Sequence, residues 1–552
     1  MDSCLTQDIQ VSPPVWRKYS RVPVIAGYSD ISSITPIIKE FLDPVAVDSE
    51  GQLNSDNLFG RLKAFQGSGD CILETVSKKT VKGFCKVTHL LDPIRSLQNY
   101  YKHPEKGSRR LADKLDNPMN QAYVDCLANY LLGQLRERKI SPHFCLFYGG
   151  FKGIADTYRY NITDEFASYR RYRDFWARRR AGEFDLYIER DDDESVDSNL
   201  FGTPSSGSMR STAFSYSTDG SEDTHESLAA LNNNELAVEL ESIHSFKTRH
   251  SDVSSEASEA SEASESSGSG SDSGSSGDNG HSVFSEYKSY PTMLIFQERM
   301  QGVIDDMLED DIIVGASHGS PEWESKWIAW TFQIIAALCT AQGLLGFTHN
   351  DLHTNNIVWT ETEETWLFYK SRDGTVWRVP TYGKILRLID FGRSIFRVGS
   401  KWFASDDYNS GGDADGQYNF ECIKNGRSRT IYPNPSFDLC RFAVSTIDAL
   451  FPDMPAENLE GQVLSQEDGW TVRETESPLW NLLWSWLIDT DGKNVLRDED
   501  GTERFPDFDL YQHITDKIKN AKPQEQIHKE LFSGFKFSDV PGDWETVYPL
   551  FC

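Results

Sequence analysis

Cysteine is scarce in this chain, and no two cysteines stand in a metal-binding or redox motif. The nine cysteines are scattered over 552 residues, their number is odd, and no Cys-x-x-Cys pair occurs. A disulfide framework and a zinc module are therefore not indicated. A reducing compartment is the simpler interpretation, and we expect a cytoplasmic protein.

Basic residues are also in short supply. The chain carries 55 lysines and arginines against 85 aspartates and glutamates, so its formal net charge is -30. Proteins bind nucleic acid largely through clustered lysine and arginine, because these residues neutralise the phosphate backbone. We therefore expect no direct nucleic-acid binding.

Long uninterrupted apolar runs are absent as well. The longest apolar stretch, residues 330–347, is broken by threonine, glutamine and glycine. The start of the sequence lacks the basic and then apolar pattern of a signal peptide. We expect neither a signal peptide nor a membrane interaction.

Much of the negative charge lies in one segment, residues 191–285. This segment is rich in serine, glycine, aspartate and glutamate, and it contains 19 acidic and 3 basic residues. Such a composition cannot bury enough apolar surface to fold, so we predict a disordered insertion. Within it, residues 226–246 place apolar side chains at near-helical spacing, which is typical of a helix that binds a protein partner and equally of a transient helix without a function.

Two short polar blocks in the second half of the chain carry histidine, carboxylate and amide side chains at spacings that match a known motif pair. The first contains His349, Asp351, Leu352 and Asn356, and the second is an Asp-Phe-Gly tripeptide at 390–392. Phosphoryl transfer needs a carboxylate that orients the attacking hydroxyl and accepts its proton, and it needs oxygen ligands for Mg²⁺. We assign the first role to Asp351 and the metal ligands to Asn356 and Asp390. The alternative interpretation is that both blocks are ordinary turns.

This pair of blocks resembles the catalytic loop and the metal loop of the protein-kinase superfamily. The combination is most similar to kinase-like proteins of large cytoplasmic DNA viruses, for which the location would be the host cytoplasm. The resemblance implies an α+β fold with two lobes, a small β-rich N-lobe and a helical C-lobe, and it implies ATP and Mg²⁺ as cofactors. On this basis residues 1–56 are an N-terminal extension, 57–190 the N-lobe, 191–285 the insertion, and 286–552 the end of the N-lobe, the hinge and the C-lobe.

Residues 81–87 resemble the kinase strand whose lysine contacts the nucleotide phosphates. We assign this role to Lys86, with Lys82 as a rival, and the alternative is that Lys86 is an ordinary exposed lysine. Gly67 and Gly69 stand where a phosphate-covering turn is expected, although the third glycine of that motif is absent. In the predicted regulatory helix, residues 117–138, Asp125 is either the partner of Lys86 or part of a solvated face.

The apolar segment that begins at residue 291 resembles the hinge between kinase lobes. There Gln297 stands where the pocket is gated, and the backbones of Glu298 and Met300 are expected to contact adenine.

Two further segments follow from the resemblance. Residues 366–379 predict a β-hairpin inserted between the two blocks. Asp438 is the expected buried acid that ties the catalytic loop to the large lobe, or alternatively a helix cap.

The sequence departs from the usual kinase pattern at two positions. Asn350 replaces the arginine that normally binds a phosphorylated activation segment, so we expect activity without such a switch. His353, assigned here as catalytic, stands where Ser/Thr protein kinases usually carry a lysine against the transferring phosphate. The Asp-Leu-His combination resembles haspin kinases and also small-molecule phosphotransferases of the aminoglycoside type.

The resemblance therefore implies an ATP-dependent phosphotransferase, and we expect an atypical Ser/Thr protein kinase whose substrate is a protein hydroxyl. Two alternatives stay open. One is phosphorylation of a small molecule, and the other is a pseudokinase or scaffold that presents the acidic insertion to partners.

Overall fold

The computed structural model describes residues 23–33, 59–66, 69–102, 106–190, 281–399, 401–409, 412, 414–420, 422–425, 428–467, 470–498, 502–505, 509–538 and 546–552. Gly67, residues 226–246 and nearly all of the predicted insertion lie outside these residues. The fold is mixed α+β, which confirms the class expected from the sequence. The chain divides into two compact units, the first comprising Met1–Asp156 and Ser289–Cys552 and the second Thr157–Lys288.

The described residues form the following elements. The strands are β1 (Tyr28–Ser33), β2 (Phe59–Phe65), β3 (Asp70–Thr75), β4 (Thr80–His89), β5 (Phe147–Asn161), β6 (Asp185–Arg190), β7 (His281–Glu298), β8 (Gly302–Val303), β9 (Ile357–Glu361), β10 (Trp366–Lys370), β11 (Val376–Pro380), β12 (Lys384–Leu388), β13 (Ile395–Val398), β14 (Lys401–Ala404), β15 (Cys422–Asn425), β16 (Ser428–Ile431), β17 (Val463–Glu467), β18 (Trp470–Arg473) and β19 (Val547–Pro549). The α-helices are α1 (Pro93–Leu97), α2 (Gly107–Leu115), α3 (Gln121–Glu137), α4 (Thr163–Tyr169), α5 (Arg173–Arg180), α6 (Ile304–Glu309), α7 (Asp311–Val314), α8 (Pro321–Leu345), α9 (Phe437–Leu450), α10 (Pro478–Trp486), α11 (Asp509–Lys517) and α12 (Pro523–Gln526).

An antiparallel sheet, curled into half of a barrel, forms the first part of the first unit. Its strand order is β1-β5-β7-β4-β3-β2. Burial alternates along β3, as expected for a strand with one face on a core. The buried face carries Leu73, Cys85, Phe151 and Phe296, which pack in one apolar cluster. Strands β2, β3 and β4 are successive antiparallel neighbours in this sheet.

Helix α3 packs against strand β5. The Tyr130 and Phe147 rings lie 5.6 Å apart, and a side chain at Gly150 would collide with the Cys126 sulfur. The helix begins after Asn120, whose side-chain oxygen accepts the Ala122 N–H at 3.1 Å. Most of its residues are buried, including polar ones such as Asp125, so α3 is a core helix.

Helix α8 and strand β12 lead to the two polar blocks identified from the sequence. The helix starts at a Ser320 cap and ends at Gly346, where a φ of 57° turns the chain out of the helix. Strand β12 pairs with β9, which pairs with β8. Buried Gln333 joins helix to strand, because its Oε1 accepts the Leu386 N–H at 2.9 Å and its Nε2 donates to the Lys384 carbonyl at 3.1 Å.

Helix α8 is long and apolar enough to cross a membrane by composition alone. However, 78 % of its most apolar window is buried by other residues of the chain. Its tryptophans Trp323, Trp327 and Trp330 are almost wholly inaccessible to solvent and contact each other edge-on or at a tilt.

The segment between the two polar blocks contains the predicted hairpin. Strand β10 pairs with β11 from Trp366↔Pro380 to Lys370↔Val376, and the prediction is confirmed. Strand β19 adds to the other edge of β10 in parallel. Buried His143 binds this sheet, since its Nε2 lies 2.7 Å from the Tyr369 hydroxyl.

Helices α9 and α10 continue the helical part of the first unit. Trp480, Trp484 and Trp486 of α10 are buried, as expected for core residues rather than a binding patch. The short hairpins β13–β14 and β15–β16 precede α9 in the sequence. The hairpin β17–β18 lies between α9 and α10.

The second unit contains α4, α5, β6 and the first part of β7. Aromatic side chains form its core, with Phe175 in contact with Phe166, Tyr169 and Phe184. Strand β7 begins at His281 and pairs with β6, so the predicted end of the insertion at residue 285 is wrong. The prediction included residues 281–285 in the insertion because their strand partner lies far away in the sequence, so no local pattern indicated a strand.

We predict that Gln333→Leu lowers the free energy of unfolding by about 2 to 4 kcal/mol, because it leaves the Leu386 N–H and the Lys384 carbonyl unpaired. Thr340→Val on the same helix is the matched control. Among the described residues the Thr340 hydroxyl donates only to the Ala336 carbonyl of its own helix, so its loss costs less than about 1 kcal/mol. Urea unfolding followed by tryptophan fluorescence measures both, and equal effects of the two variants would contradict the role of Gln333.

Candidate active site

The loop after helix α8 is held by a buried carboxylate. The His349 and Asn350 N–H groups donate to the two carboxylate oxygens of Asp438, each at 2.9 Å. Asp438 lies in the first turn of α9 and is fully buried, whereas the helix cap is Ser436. Burial raises the pKa of Asp438, while His349 and the two N–H donors favour the ionised form. Of the two interpretations of Asp438, the structure therefore has the buried acid, which binds the loop after helix α8.

The second polar block lies against the first. The Ile389 N–H donates to the Asn356 carbonyl at 3.0 Å, and His349 Nε2 lies 2.8 Å from the Ile389 carbonyl. The Phe391 ring is buried against the His349 ring, with centroids 5.5 Å apart. Residues far apart in the sequence thus form one loop pair.

Two residues of this loop pair have an unusual backbone conformation. Asn350 and Asp390 have φ values of 64° and 62°. Residues other than glycine rarely adopt positive φ, although asparagine and aspartate tolerate it best. Such conformations persist only where the surrounding contacts enforce them, and they concentrate at functional sites.

Lys86 bridges two carboxylates that come from different parts of the chain. Its Nζ lies 2.7 Å from Asp125 Oδ2 on helix α3 and 2.7 Å from Asp390 Oδ1. The rival residue Lys82 is exposed on the same strand. The predicted contact between Lys86 and Asp125 is therefore present, and Asp125 does not belong to a solvated face.

Asp125 also binds the second polar block directly. Its Oδ1 accepts the Phe391 N–H and the Asn129 side-chain amide, each at 2.9 Å. Burial raises the pKa of Asp125, but Lys86 and the Phe391 N–H oppose this and favour the carboxylate. Asn129 was not identified from the sequence, although its position four residues after Asp125 on a helix is the relevant signal.

Lys86 and its two carboxylate partners shift one another's pKa values. Burial tends to lower the pKa of Lys86, but Asp125 and Asp390 outweigh it, so that the pKa is raised. Burial likewise tends to raise the pKa of Asp390, but Lys86 and His349 lower it to about 2. The Asp390 side chain remains 45 % exposed, so this carboxylate is accessible from outside the loop pair.

Asp351, His353 and Asn356 lie close together in the loop that follows Asn350. Asn356 Nδ2 donates to the Asp351 carbonyl at 2.9 Å and to His353 Nε2 at 3.0 Å. These two bonds fix the amide orientation and do not use the Asn356 Oδ1 oxygen. Burial lowers the pKa of His353, although Asp351 opposes it, so His353 is a neutral acceptor at pH 7.

Positive charge surrounds the Asp351 carboxylate at longer range. Burial tends to raise the pKa of Asp351, but Arg393, His353 and Arg441 hold it below its ordinary value. His353 Nε2 lies 3.9 Å from the carboxylate, which is 26 % exposed. Asp351 is therefore an ionised and accessible carboxylate.

Two tyrosine hydroxyl groups form hydrogen bonds near Asn350 and Arg441. Tyr418 donates to the Asn350 carbonyl at 2.7 Å, and Arg441 Nε donates to the Tyr511 hydroxyl at 2.9 Å. The sequence alone indicated no role for Tyr418, Tyr511 or Arg441. Their positions in a polar segment and in a late helix gave no periodic signal.

The expected adenine contacts are only partly available. The Glu298 N–H donates to the Leu146 carbonyl at 2.9 Å, so it is not open to a ligand. The Met300 N–H, in contrast, has no hydrogen-bond partner among the described residues. Gln297 is buried, and Met300 packs in an apolar cluster that reaches Ile389, the residue before Asp390.

Gly69 forms a tight turn at the start of β3. Its φ is 90°, and a side chain there would approach the Cys85 carbonyl to 2.8 Å. The Gly69 carbonyl accepts the Cys85 N–H at 2.8 Å, so this glycine is needed by the sheet itself. A contact with phosphate stays a prediction, as it does for Gly67, which lies outside the described residues.

The donor set suits Mg²⁺ bound together with phosphate. Within the described ranges, no group of three or more histidine, cysteine, aspartate or glutamate side chains is placed to hold a metal alone. Magnesium in nucleotide sites usually needs only one or two protein carboxylates, with phosphate oxygens and waters as the other ligands. The Asp390 carboxylate and the Asn356 Oδ1 are oxygen ligands of the kind that such a site uses.

Comparison with known proteins adds no assignment. No family model matches the chain, and no curated protein matches it. The candidate site is therefore defined by the geometry of Lys86, Asp125, Asp351, Asn356 and Asp390 alone.

We predict that Lys86→Met lowers the free energy of unfolding at pH 7 by roughly 3 to 5 kcal/mol, because it leaves the buried Asp125 carboxylate without its cation. Lys82→Met is the matched control, since Lys82 is exposed on the same strand, and it changes stability by less than about 0.5 kcal/mol. Chemical denaturation measures both variants. A loss of the same size in both would show that the lysine bridge is unimportant.

The difference between wild type and Lys86→Met should shrink as the pH falls from 7 to 5. In the wild type, the lowered pKa of Asp390 contributes stability that is lost only as the pH falls towards about 2. In the variant, Asp125 keeps its burial but loses its lysine, so its raised pKa lets protonation relieve the buried charge. Unfolding curves at several pH values test this, and a gap that stays constant or widens in acid would contradict it.

Proposed function

We propose that this chain is a Mg²⁺-dependent phosphotransferase that uses ATP and acts on a serine or threonine hydroxyl of a protein. The observation that carries the proposal is the lysine bridge, in which Lys86 Nζ lies 2.7 Å from both Asp125 and Asp390. A two-lobed, kinase-like arrangement of the first unit belongs to the same proposal. Its support is the order of elements, an antiparallel sheet with helix α3 followed by a mainly helical part.

Lys86 is suited to bind a phosphate oxygen of the nucleotide. An ammonium group has three N–H donors, and two of those on Lys86 point to Asp125 and Asp390. The third remains for a ligand, and the raised pKa of Lys86 keeps the group charged. Asp125 holds the lysine in position from helix α3.

Asp390 and Asn356 are the residues that would hold Mg²⁺. Asp390 is ionised at neutral pH because its pKa is lowered to about 2, and its side chain is 45 % exposed. Asn356 offers the amide oxygen that its own hydrogen bonds leave unused. When bound, Mg²⁺ neutralises charge on the transferring phosphoryl group and orients it.

Asp351 would orient the attacking hydroxyl and accept its proton. The carboxylate is ionised and partly accessible, and none of the hydrogen bonds among the described residues ends on its two oxygens. It is therefore open to a hydroxyl donor. His353 contributes by holding Asn356, since its neutral ring accepts the amide N–H.

The nucleotide base would lie beside the Met300 backbone. The Met300 N–H is an open donor within the part of the chain that the structure describes, and Val358, Cys145 and Ile389 supply apolar surface next to it. A flat apolar surface with one or two backbone partners is typical of sites for aromatic ligands. Gln297 and Glu298 act here through packing and through the backbone of β7 rather than through a free Glu298 N–H.

We predict that Mg²⁺ and ATP together raise the melting temperature of the wild-type chain and that Asp390→Asn abolishes this rise. Asparagine is the chosen replacement because Asp390 has a φ of 62°, which asparagine tolerates better than alanine. Asp491→Asn, which removes an exposed carboxylate elsewhere, is the control and should respond like wild type. A wild-type protein without any Mg²⁺-dependent shift would contradict the proposal and favour the scaffold alternative.

We predict that Asp351→Asn reduces phosphoryl transfer by about a hundredfold or more and preserves the thermal shift with Mg²⁺ and ATP. The reason is that Asp351 acts on the hydroxyl, whereas the nucleotide is bound by other residues. Transfer of labelled phosphate to a peptide library, with and without residues 191–285 in the chain, measures this effect. A thermal shift in the wild type without any labelled peptide would instead favour a small-molecule substrate.

A further inference from the structure

Asp406 connects the segment after the Asp-Phe-Gly tripeptide to the start of helix α3. It begins a short 3₁₀ turn, Asp406–Tyr408, that follows strand β14. Its Oδ1 accepts from Lys114 Nζ at 2.7 Å and from the Gln121 N–H at 3.2 Å, and its Oδ2 accepts from Asn117 Nδ2 at 2.9 Å. Its own N–H donates to the Met119 carbonyl at 2.7 Å.

These contacts form a built connection rather than a loose surface pair. The side chains of Asp406 and Lys114 are only 8 % and 18 % exposed. Both carboxylate oxygens are engaged, and the backbone of the same residue is bound as well. A largely buried charge of this kind is costly when its partner is removed, so the two elements are held together as long as both are present.

Helix α3 is attached to the same segment at a second point. One turn after Gln121, Asp125 accepts the Phe391 N–H at 2.9 Å. Gln121 itself lies close to Gly392, where an added Cβ would stand 3.1 Å from the Gln121 Cγ. Because a helical turn is rigid, fixing Gln121 from Asp406 also fixes where Asp125 meets Lys86 and Phe391.

We propose that Asp406 is a positioning residue that keeps helix α3 in the place where Asp125 can hold Lys86, and that its permanent carboxylate makes this arrangement independent of phosphorylation. This inference rests on the proposed function, because it concerns the regulation of the same site. The negative charge that anchors the helix is part of the chain, so no added phosphate is required to supply it.

The test compares Asp406→Asn, Asp406→Glu, Lys114→Met and the double variant Asp406→Asn with Lys114→Met. Asp113→Asn is the matched control, because Asp113 is the neighbour of Lys114 on α2 but forms an exposed pair with Arg109. Amide hydrogen exchange, without any nucleotide, reports the protection of the peptides that contain residues 121–125 and Phe391. Steady-state kinetics with varied ATP at saturating Mg²⁺ report KM and kcat separately.

We expect Asp406→Asn to speed exchange of the Phe391 and α3 peptides by about tenfold and to reduce kcat/KM for ATP by about tenfold, mainly through KM. Asp406→Glu should keep most of the protection, because the charge is retained. Lys114 also lies 3.6 Å from Asp407, and Asp406 also binds Asn117 and the Gln121 N–H. The double variant should therefore lose less protection than the sum of the two single variants, because part of each loss comes from the contact that Asp406 and Lys114 share. Asp113→Asn should behave like wild type, and phosphatase treatment of the wild type should leave turnover unchanged.

Three results would overturn the inference. One is wild-type protection of the Phe391 peptide in Asp406→Asn. Another is a loss of protection spread evenly over the first unit, which would indicate a merely structural role. The third is loss of turnover after phosphatase treatment. If the wild type fails to turn over ATP, the proposed function is contradicted, while the exchange experiment still decides whether Asp406 positions α3.

Discussion

The candidate site depends on one interaction, the simultaneous binding of Lys86 to Asp125 and Asp390. The three residues come from strand β4, helix α3 and the loop after strand β12, so the contact can form only when all three elements are in place. Taking charges out of water is costly, and two carboxylates close to each other repel. The lysine offsets both effects, which explains why the pKa values of Lys86 and Asp390 move in opposite directions.

The remaining geometry is fixed by backbone groups more than by side chains. Asp438 binds two successive N–H groups of the loop after helix α8, and His349 binds the carbonyl next to Asp390. These bonds enforce positive φ at Asn350 and Asp390, conformations that the chain would otherwise avoid. Buried hydrogen bonds around these two positions therefore hold their strained conformations.

The sequence predicted the elements well where their patterns were local. Helix α3, predicted at 117–138, and the β10–β11 hairpin, predicted at 366–379, have local patterns, and both are present close to their expected positions. The choice between Lys86 and Lys82 could not be made in this way, because both lie on the same face of β4 and differ only in what approaches them. Likewise, the sequence could not decide whether Asp125 binds Lys86 or faces solvent, because this depends on how closely α3 packs on β5.

Other parts of the site were missed because their partners are distant in sequence. Asp406 and Tyr418 lie in a segment rich in glycine, aspartate and serine, which resembles an unstructured loop when read alone. Asp406 meets a helix start almost three hundred residues earlier, and Tyr418 meets the turn at Asn350. The resemblance to kinases did not help here either, since it concerned the residues that would contact the nucleotide and the metal.

Strand β19 has a consequence for how this molecule can assemble during synthesis. It lies parallel to β10, the inserted strand between the two polar blocks, and pairs with it from Phe368↔Val547 to Lys370↔Pro549. A ribosome must therefore finish residue 549 before the edge of β10 can be covered, long after α8 and β12 have emerged. Pairings over such distances form slowly, because a long loop must close first. Until then one edge of β10 has unpaired backbone groups, and such an edge can pair with another chain.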